Sequence, residues 1–189
     1  RLEKRVKPFD VMKLEEILEH PELYENYPEL RKMDIAGRYT DINPGQLGSY
    51  DPVKDEISVA FGSRGHNPKS TLLHEIQHAT QQKEGFARGG LEDLFFMEEF
   101  KKAKIAMPYA NSATLSHVAS ANAYKKYKKF AGEVESRNVE GRMNWTEEMR
   151  QGKPFNATFD IPIEQQIKSM RRGTVNVKDL IGELYRLRS

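Results

Sequence analysis

The segment that most constrains the fold is the run of residues 67–85, NPKSTLLHEIQHATQQKEG. Proline suits the first position of a helix and glycine ends one, so this run predicts a helix from about 68 to 84. At about 100° per residue, one side of that helix is apolar or small: Leu72, Leu73, Ile76, Ala79 and Thr80. His74 and His78 point nearly the opposite way, beside two glutamines. The pattern predicts a helix that is buried on one face and lines a cleft with the other.

The letters HEIQH, residues 74–78, match the HExxH pattern. His74 and His78 lie one helical turn apart, so both imidazoles can reach one ion, and Glu75 faces the side where a reacting water would lie. The chain contains no cysteine, so a metal must be held by His, Asp or Glu. The pattern therefore predicts one zinc ion; the simpler alternative is a helix with two solvent-exposed histidines.

A catalytic zinc needs a third protein ligand and one open position. The metzincin continuation would require glycine at Gln81 and histidine at Glu84, and neither is present. His117 is a candidate, but its mixed apolar and polar surroundings favour a packed or surface histidine. The third ligand is therefore expected in another segment.

The segment AGEVESRN, residues 131–138, supplies a better candidate. In hydrolases of the thermolysin type the third ligand is a glutamate on a second helix, followed by a small residue three positions later and usually by aspartate four positions later. Here Glu133 is followed by Ser136 and by Arg137, so the aspartate is missing and the histidine must be oriented by another group. Glu135 competes with Glu133, but the two point about 200° apart on a helix, so only one can face the metal. We favour Glu133.

Ahead of the histidine helix, the patterns predict a short helix at 10–19, a surface turn at 20–30, and a hairpin of two strands near 47–50 and 57–61. The second strand, 57–61, is a candidate edge strand for docking an extended peptide. The fold expected is α+β and mostly helical, with a small antiparallel sheet preceding the HExxH helix.

After the HExxH helix, the patterns predict a helix at 91–107. Across residues 112–144 they predict either one long helix or two helices joined near Gly132. A leucine stripe at 180–187 suggests a terminal helix. We expect a single domain at 1–150, with residues 151–189 as an extension packed on it.

The charge balance, 30 Lys and Arg against 28 Asp and Glu, is far from the dense basic field of a dedicated nucleic-acid binder. No apolar run approaches the roughly 18–20 residues of a membrane span, so the chain is expected to be soluble and without a membrane partner. It begins without methionine, and we expect it to be either a fragment of a longer polypeptide or a processed product.

Residues 70–90 and 131–143 resemble the zincin-like metallopeptidase domains of the large polyvalent proteins of phages and mobile elements, and residues 20–30 and 47–59 do so more weakly. The resemblance implies a gluzincin-like fold. It also implies the cytoplasm of a bacterial host, or delivery with a mobile element, as the location.

The same resemblance implies a zinc held by His74, His78 and a glutamate of the GEVES segment, with Glu75 as catalytic base. The expected function is a zinc-dependent metallopeptidase that hydrolyses amide bonds of a protein or peptide substrate with a metal-activated water. Tyr124 and Tyr127 are candidates for steadying the oxyanion. The oligomeric state is left open.

The alternative is a nucleic-acid- or protein-binding module of a mobile-element protein with a structural or degenerate metal site. It rests on the segments KKAK at 101–104 and YKKYKK at 124–129, which set lysines beside tyrosines. A solvated helix face would explain the same lysines.

Overall fold

The computed structural model describes residues 10–39, 46–61, 67–86 and 92–168. Four short strands form one sheet in the order β1-β2-β4-β3. Their bounds are β1 Val11–Lys13, β2 Asp34–Tyr39, β3 Gly48–Asp51 and β4 Glu56–Phe61. β1 and β2 are antiparallel, and so are β3 and β4, whereas β2 and β4 are parallel.

The predicted α+β class and the hairpin are confirmed, and the prediction of an antiparallel sheet is wrong. The sheet is mixed because the segment 34–39, which the sequence patterns do not mark as a strand, pairs in parallel with 56–61. Because of that pairing, β4 lies between β2 and β3 in the sheet. The prediction that 57–61 forms an edge strand is therefore wrong, and among the described strands β3 lies at this edge of the sheet.

Seven α-helices lie in the described ranges. They are α1 Leu14–Ile17, α2 Pro21–Asn26, α3 Pro68–Glu84, α4 Glu92–Ala106, α5 Ser112–Tyr127, α6 Ala131–Gly141 and α7 Glu147–Gly152. Short 3-10 helices add Pro28–Lys32, Phe155–Thr158 and Ile163–Gln165. The predictions of α3 and α4 are confirmed. Of the two alternatives predicted for residues 112–144, one long helix or two helices, the structure has two helices. Their junction falls at 128–130, just before Gly132.

Two predictions near the amino terminus need correction. The predicted short helix at 10–19 is present only as α1, Leu14–Ile17, because residues 11–13 form β1 and the main chain bonds across to β2, where the Gly37 N–H donates to the Asp10 carbonyl at 2.9 Å. Residues 20–30 are short helices rather than a turn, because each proline stands in a first helical turn, where its missing N–H costs nothing. The leucine stripe at 180–187 lies outside the described residues.

The chain divides into two compact units. The first comprises Arg1–Arg88 with Val134–Asp160, and the second Gly89–Glu133 with Ile161–Ser189. The division passes through α6 between Glu133 and Val134, so both residues are held by one continuous helix. The predicted division at residue 150 stays a prediction.

The core of the first unit joins the sheet to one face of α3. Its buried members are Leu14, Ile17, Leu18, Tyr24, Leu30, Met33, Ile35, Ile57, Val59, Leu72, Ile76 and Ala79. Within the second unit α4 packs along α5. The rings of Phe95 and Phe130 meet edge to face, with their centroids 6.2 Å apart. Of the helices in the described ranges, none combines the length and the apolar character needed to cross a bilayer.

Candidate metal centre

Helix α3 carries the HExxH residues, and local sequence defines both of its ends. The Asn67 side chain accepts a hydrogen bond from the Lys69 N–H at 3.1 Å, which caps the first turn. Gly85 adopts the left-handed conformation, with φ of 65°, and closes the last turn through its N–H. On the histidine side of α3, which the sequence predicts to line a cleft, the His74 side chain is 17% exposed and Gln81 is fully buried. Side chains of α6 contact this side.

The two imidazoles converge on one point. The Nε2 atoms of His74 and His78 lie 3.0 Å apart, and the rings meet edge to face. Two nitrogens bound to one tetrahedral zinc at about 2.0–2.1 Å would be separated by about 3.3 Å. The pair is therefore already spaced for a shared ion.

Both Nδ1 atoms face oxygen acceptors. The His74 Nδ1 lies 2.5 Å from Oε1 of Glu140, and a carboxylate can only accept, so this Nδ1 carries hydrogen. The His78 Nδ1 lies 3.0 Å from Oε1 of Gln81, whose amide nitrogen donates to Glu135 at 2.9 Å and so turns its oxygen toward the histidine. In the tautomer that carries hydrogen on Nδ1 of both rings, both Nε2 atoms would be available as ligands, and they face the same small volume. Binding of a metal through Nε2 requires this tautomer.

Glu133 completes the group. One ligand atom each from His74, His78 and Glu133 all lie within 4.8 Å of one another. The Glu133 side chain is only 2% exposed, and burying a carboxylate is costly unless a cation or hydrogen bonds compensate it. Glu135 instead contacts the amides of Gln77 and Gln81, at 3.4 and 2.9 Å. The two histidines and Glu133 could hold one metal ion, and two imidazoles with one carboxylate suit zinc and other borderline divalent cations.

Helices α3 and α6 pack antiparallel around the group. Contacts between residues 67–81 and residues 135–143 show this, because the residue number rises along one segment as it falls along the other. The pairs are Asn67 with Met143, Ser70 and His74 with Glu140, His78 with Ser136, and Gln81 with Glu135. Ser136 is fully buried, and its hydroxyl lies 3.4 Å from Nδ1 of His78. A larger side chain at this position would push the two helices apart.

Glu140 is a site residue that the sequence patterns did not single out. Arg137 occupies the position of the expected aspartate, and its guanidinium makes two hydrogen bonds to Asp160, at 2.8 and 3.0 Å. Glu140 orients His74 instead, and its second oxygen accepts from the Ser70 hydroxyl at 2.7 Å. The signal available in the sequence is its spacing, because a residue seven positions after Glu133 returns to nearly the same helix face.

Burial alone would raise the pKa of the Glu140 carboxyl. The hydrogen bonds from His74 and Ser70, together with the charge of Arg137, outweigh burial and hold this pKa below its ordinary value. The carboxylate is therefore charged at neutral pH, which strengthens its hydrogen bond to the His74 ring.

Glu75 lies on the side of α3 that faces β3. Its side chain is 7% exposed and packs against Gly48, the first residue of that edge strand. A buried carboxylate that follows a candidate metal ligand directly in the sequence suits a general base better than a solvated surface group.

The remaining predicted candidates lie on α5. His117 is exposed and is not part of the metal group. Tyr124 is half exposed and stacks on Tyr127, and Lys128 lies over its ring. A role for these tyrosines at an oxyanion stays a prediction.

The chain matches no protein-family model, and neither curated proteins nor solved structures show a significant match to it. The interpretation of the site therefore depends on its own geometry. That geometry comprises three convergent ligands, two hydrogen-bonded imidazoles and one buried glutamate adjacent to the first histidine.

Proposed function

We propose that the protein is a zinc-dependent metallopeptidase with a zincin-like fold. The observation that carries this proposal is the convergence of His74, His78 and Glu133 within 4.8 Å, on a helix pair whose HExxH glutamate is buried nearby. Three protein ligands leave one position of a tetrahedral zinc site for the reaction. The resemblance to metallopeptidase domains of phage and mobile-element proteins supports the same reaction type.

When bound, zinc would supply Lewis acidity, polarising the scissile carbonyl and lowering the pKa of water. Glu75 accepts the proton of the attacking water and passes it to the leaving amine nitrogen. Glu140 and Gln81 hold the two histidine rings in the tautomer that ligation needs. The three carboxylates thus have separate roles, in which Glu133 binds the metal, Glu75 moves the proton and Glu140 orients a ring.

The substrate we infer is an extended segment of protein or peptide. β3 is an end strand of the sheet, and among the described strands it pairs with β4 alone. A peptide added to its outer edge would gain main-chain hydrogen bonds and would pass Gly48, against which Glu75 packs. The proposed docking strand is therefore β3 rather than the segment 57–61.

The decisive experiment compares wild type with Glu75→Gln and His78→Ala. We expect Glu75→Gln to retain one zinc per chain by elemental analysis and to lose cleavage of an unfolded protein substrate. We expect His78→Ala to lose the zinc. Equal cleavage by wild type and Glu75→Gln would refute the assignment of the base, and a zinc-free wild type would refute the metal site.

The binding-module alternative receives less support from the lysines. Lys102 and Lys126 contact Glu98 and Glu99 at distances of 2.6–3.1 Å, so two cations of the basic segments are neutralised within the unit. A nucleic-acid module would show salt-dependent binding that survives Glu75→Gln. Measuring both cleavage and binding in that variant separates the two functions.

A further inference from the structure

Gly48 brings the backbone of β3 unusually close to α3. A Cβ atom at this position would lie 2.4 Å from the Thr71 methyl carbon, 2.6 Å from Oε1 of Glu75 and 3.0 Å from Cγ of Glu75. Ordinary van der Waals contact begins at 3.4 Å. Glycine is therefore the residue that fits here without movement of α3 side chains.

Space, rather than backbone conformation, demands this glycine. Among the described glycines, only Gly85 has a positive φ, so Gly48 has a conformation open to other residues. Gly141 and Gly152 would present a Cβ to open space, with nothing within 4 Å. Of the four glycines compared, Gly48 alone would press a side chain against a residue of the proposed catalytic machinery.

We propose that Gly48 is a positioning residue for the base. Its missing side chain lets the Glu75 carboxyl lie against the first residue of the edge strand and thereby sets where the proton is accepted. This inference rests on the proposed peptidase function. It adds that β3 both docks the substrate and sets the position of the base.

Alanine at Gly48 would affect its two neighbours differently. The Glu75 carboxyl is the end of a flexible side chain and can turn away at small cost to folding. The Thr71 methyl is on a short, β-branched side chain that is stiff at its first torsion, so it accounts for most of the strain. The variant is therefore expected to fold, with the carboxyl moved from 2.6 Å to at least 3.4 Å from the new methyl.

That displacement predicts a specific kinetic defect. Misplacing a reacting group by about 1 Å can cost about 100-fold in rate, so Gly48→Ala should lower kcat by about 100-fold. Zinc affinity should stay within about twofold, because the three atoms nearest to the new methyl belong to Thr71 and Glu75 and not to His74, His78 or Glu133. Gly141→Ala is the matched control and should leave kcat, zinc affinity and Tm close to wild type.

The double variant Gly48→Ala/Thr71→Ser separates positioning from structure. Serine lacks the methyl that gives the closest contact, so the double variant should recover the Tm lost in Gly48→Ala while kcat stays low. Recovery of kcat together with Tm would overturn the proposal, because it would show that Gly48 serves only packing.

A crystal structure supplies a readout that does not depend on activity. In Gly48→Ala, or in the double variant if the single one does not fold, the Glu75 carboxyl should be displaced by about 0.8 Å or more, and in Gly141→Ala it should not move. An unmoved carboxyl would overturn the inference even in an active enzyme. A wild type that cleaves nothing would refute the proposed function, while this structural comparison would still decide whether Gly48 positions Glu75.

Discussion

Removing the Glu140 carboxylate should weaken zinc binding without unfolding the protein. The carboxylate accepts a 2.5 Å hydrogen bond from the Nδ1 of His74, and Glu140→Ala leaves that nitrogen without its acceptor. A hydrogen bond to a charged group contributes about 1.5–3 kcal/mol, and each 1.36 kcal/mol is about tenfold in affinity. The expected loss is thus about 10- to 100-fold, the range typical of groups that orient metal-bound histidines.

Solvent access decides where in that range the loss should fall. The Glu140 side chain is 31% exposed and that of His74 is 17% exposed, so water can replace the missing acceptor in Glu140→Ala. We therefore expect a loss nearer 10-fold than 100-fold. Glu140→Gln keeps a neutral acceptor in place and should lose only about three- to fivefold, since neutral hydrogen bonds are roughly half as strong.

The measurement is an equilibrium competition for zinc against a chromophoric chelator at pH 7, with urea unfolding of the metal-free proteins alongside. Glu148→Ala, an exposed glutamate on α7, is the control and should match wild type. Zinc affinity of Glu140→Ala within twofold of wild type would refute the reasoning. So would an equal loss in Glu140→Ala and Glu148→Ala, because it would point to net charge rather than to the hydrogen bond.

Three further perturbations test the site and the fold. Glu133→Gln should weaken zinc binding more than about 100-fold whereas Glu135→Gln should change it only a few-fold, by the same competition assay, and the reverse order would reassign the ligand. Gln81→Leu should weaken zinc binding about 10-fold, because it removes the acceptor of the second histidine; unchanged affinity would contradict that role. The hydrogen bond from Lys126 lowers the pKa of Glu99, so this carboxylate stabilises the fold above its unfolded pKa near 4.5 and loses that effect as pH falls through its lower folded value. Glu99→Gln should therefore be less stable than wild type in urea at pH 7, the difference should shrink as the pH is lowered below about 4.5, and a constant difference would contradict the ion pair.

The parts of the structure that sequence could predict are those with local causes. The limits of α3 follow from residues 67, 68 and 85, which act on the backbone of their own turns. The hairpin of β3 and β4 likewise depends on a short turn between alternating segments. In the site, the one-turn spacing of His74 and His78 is itself a local property, so their convergence follows from the helix alone.

The parts that could not be predicted depend on pairing between distant segments. Nothing in residues 34–39 indicates a parallel partner at 56–61, and that partner converts β4 from an edge strand into an interior one. The helical periodicity of 10–19 is overridden at residues 11–13 by main-chain bonds to β2, which periodicity does not reveal. Sheet membership is a non-local property, and the prediction of 57–61 as an edge strand is wrong for that reason.

Glu140 shows how helix geometry replaces a missing motif residue. Measured from Glu133 at about 100° per residue, position 137 lies about 40° to one side and position 140 about 20° to the other. Glu140 is therefore closer to the face of the ligand than the position where an aspartate is usual. Because α6 packs antiparallel to α3, α6 contacts His78 through Ser136 and, further along, contacts His74 through Glu140. Arginine at 137 is paired with Asp160, and Glu140, about one turn further on along α6, supplies the carboxylate that orients His74.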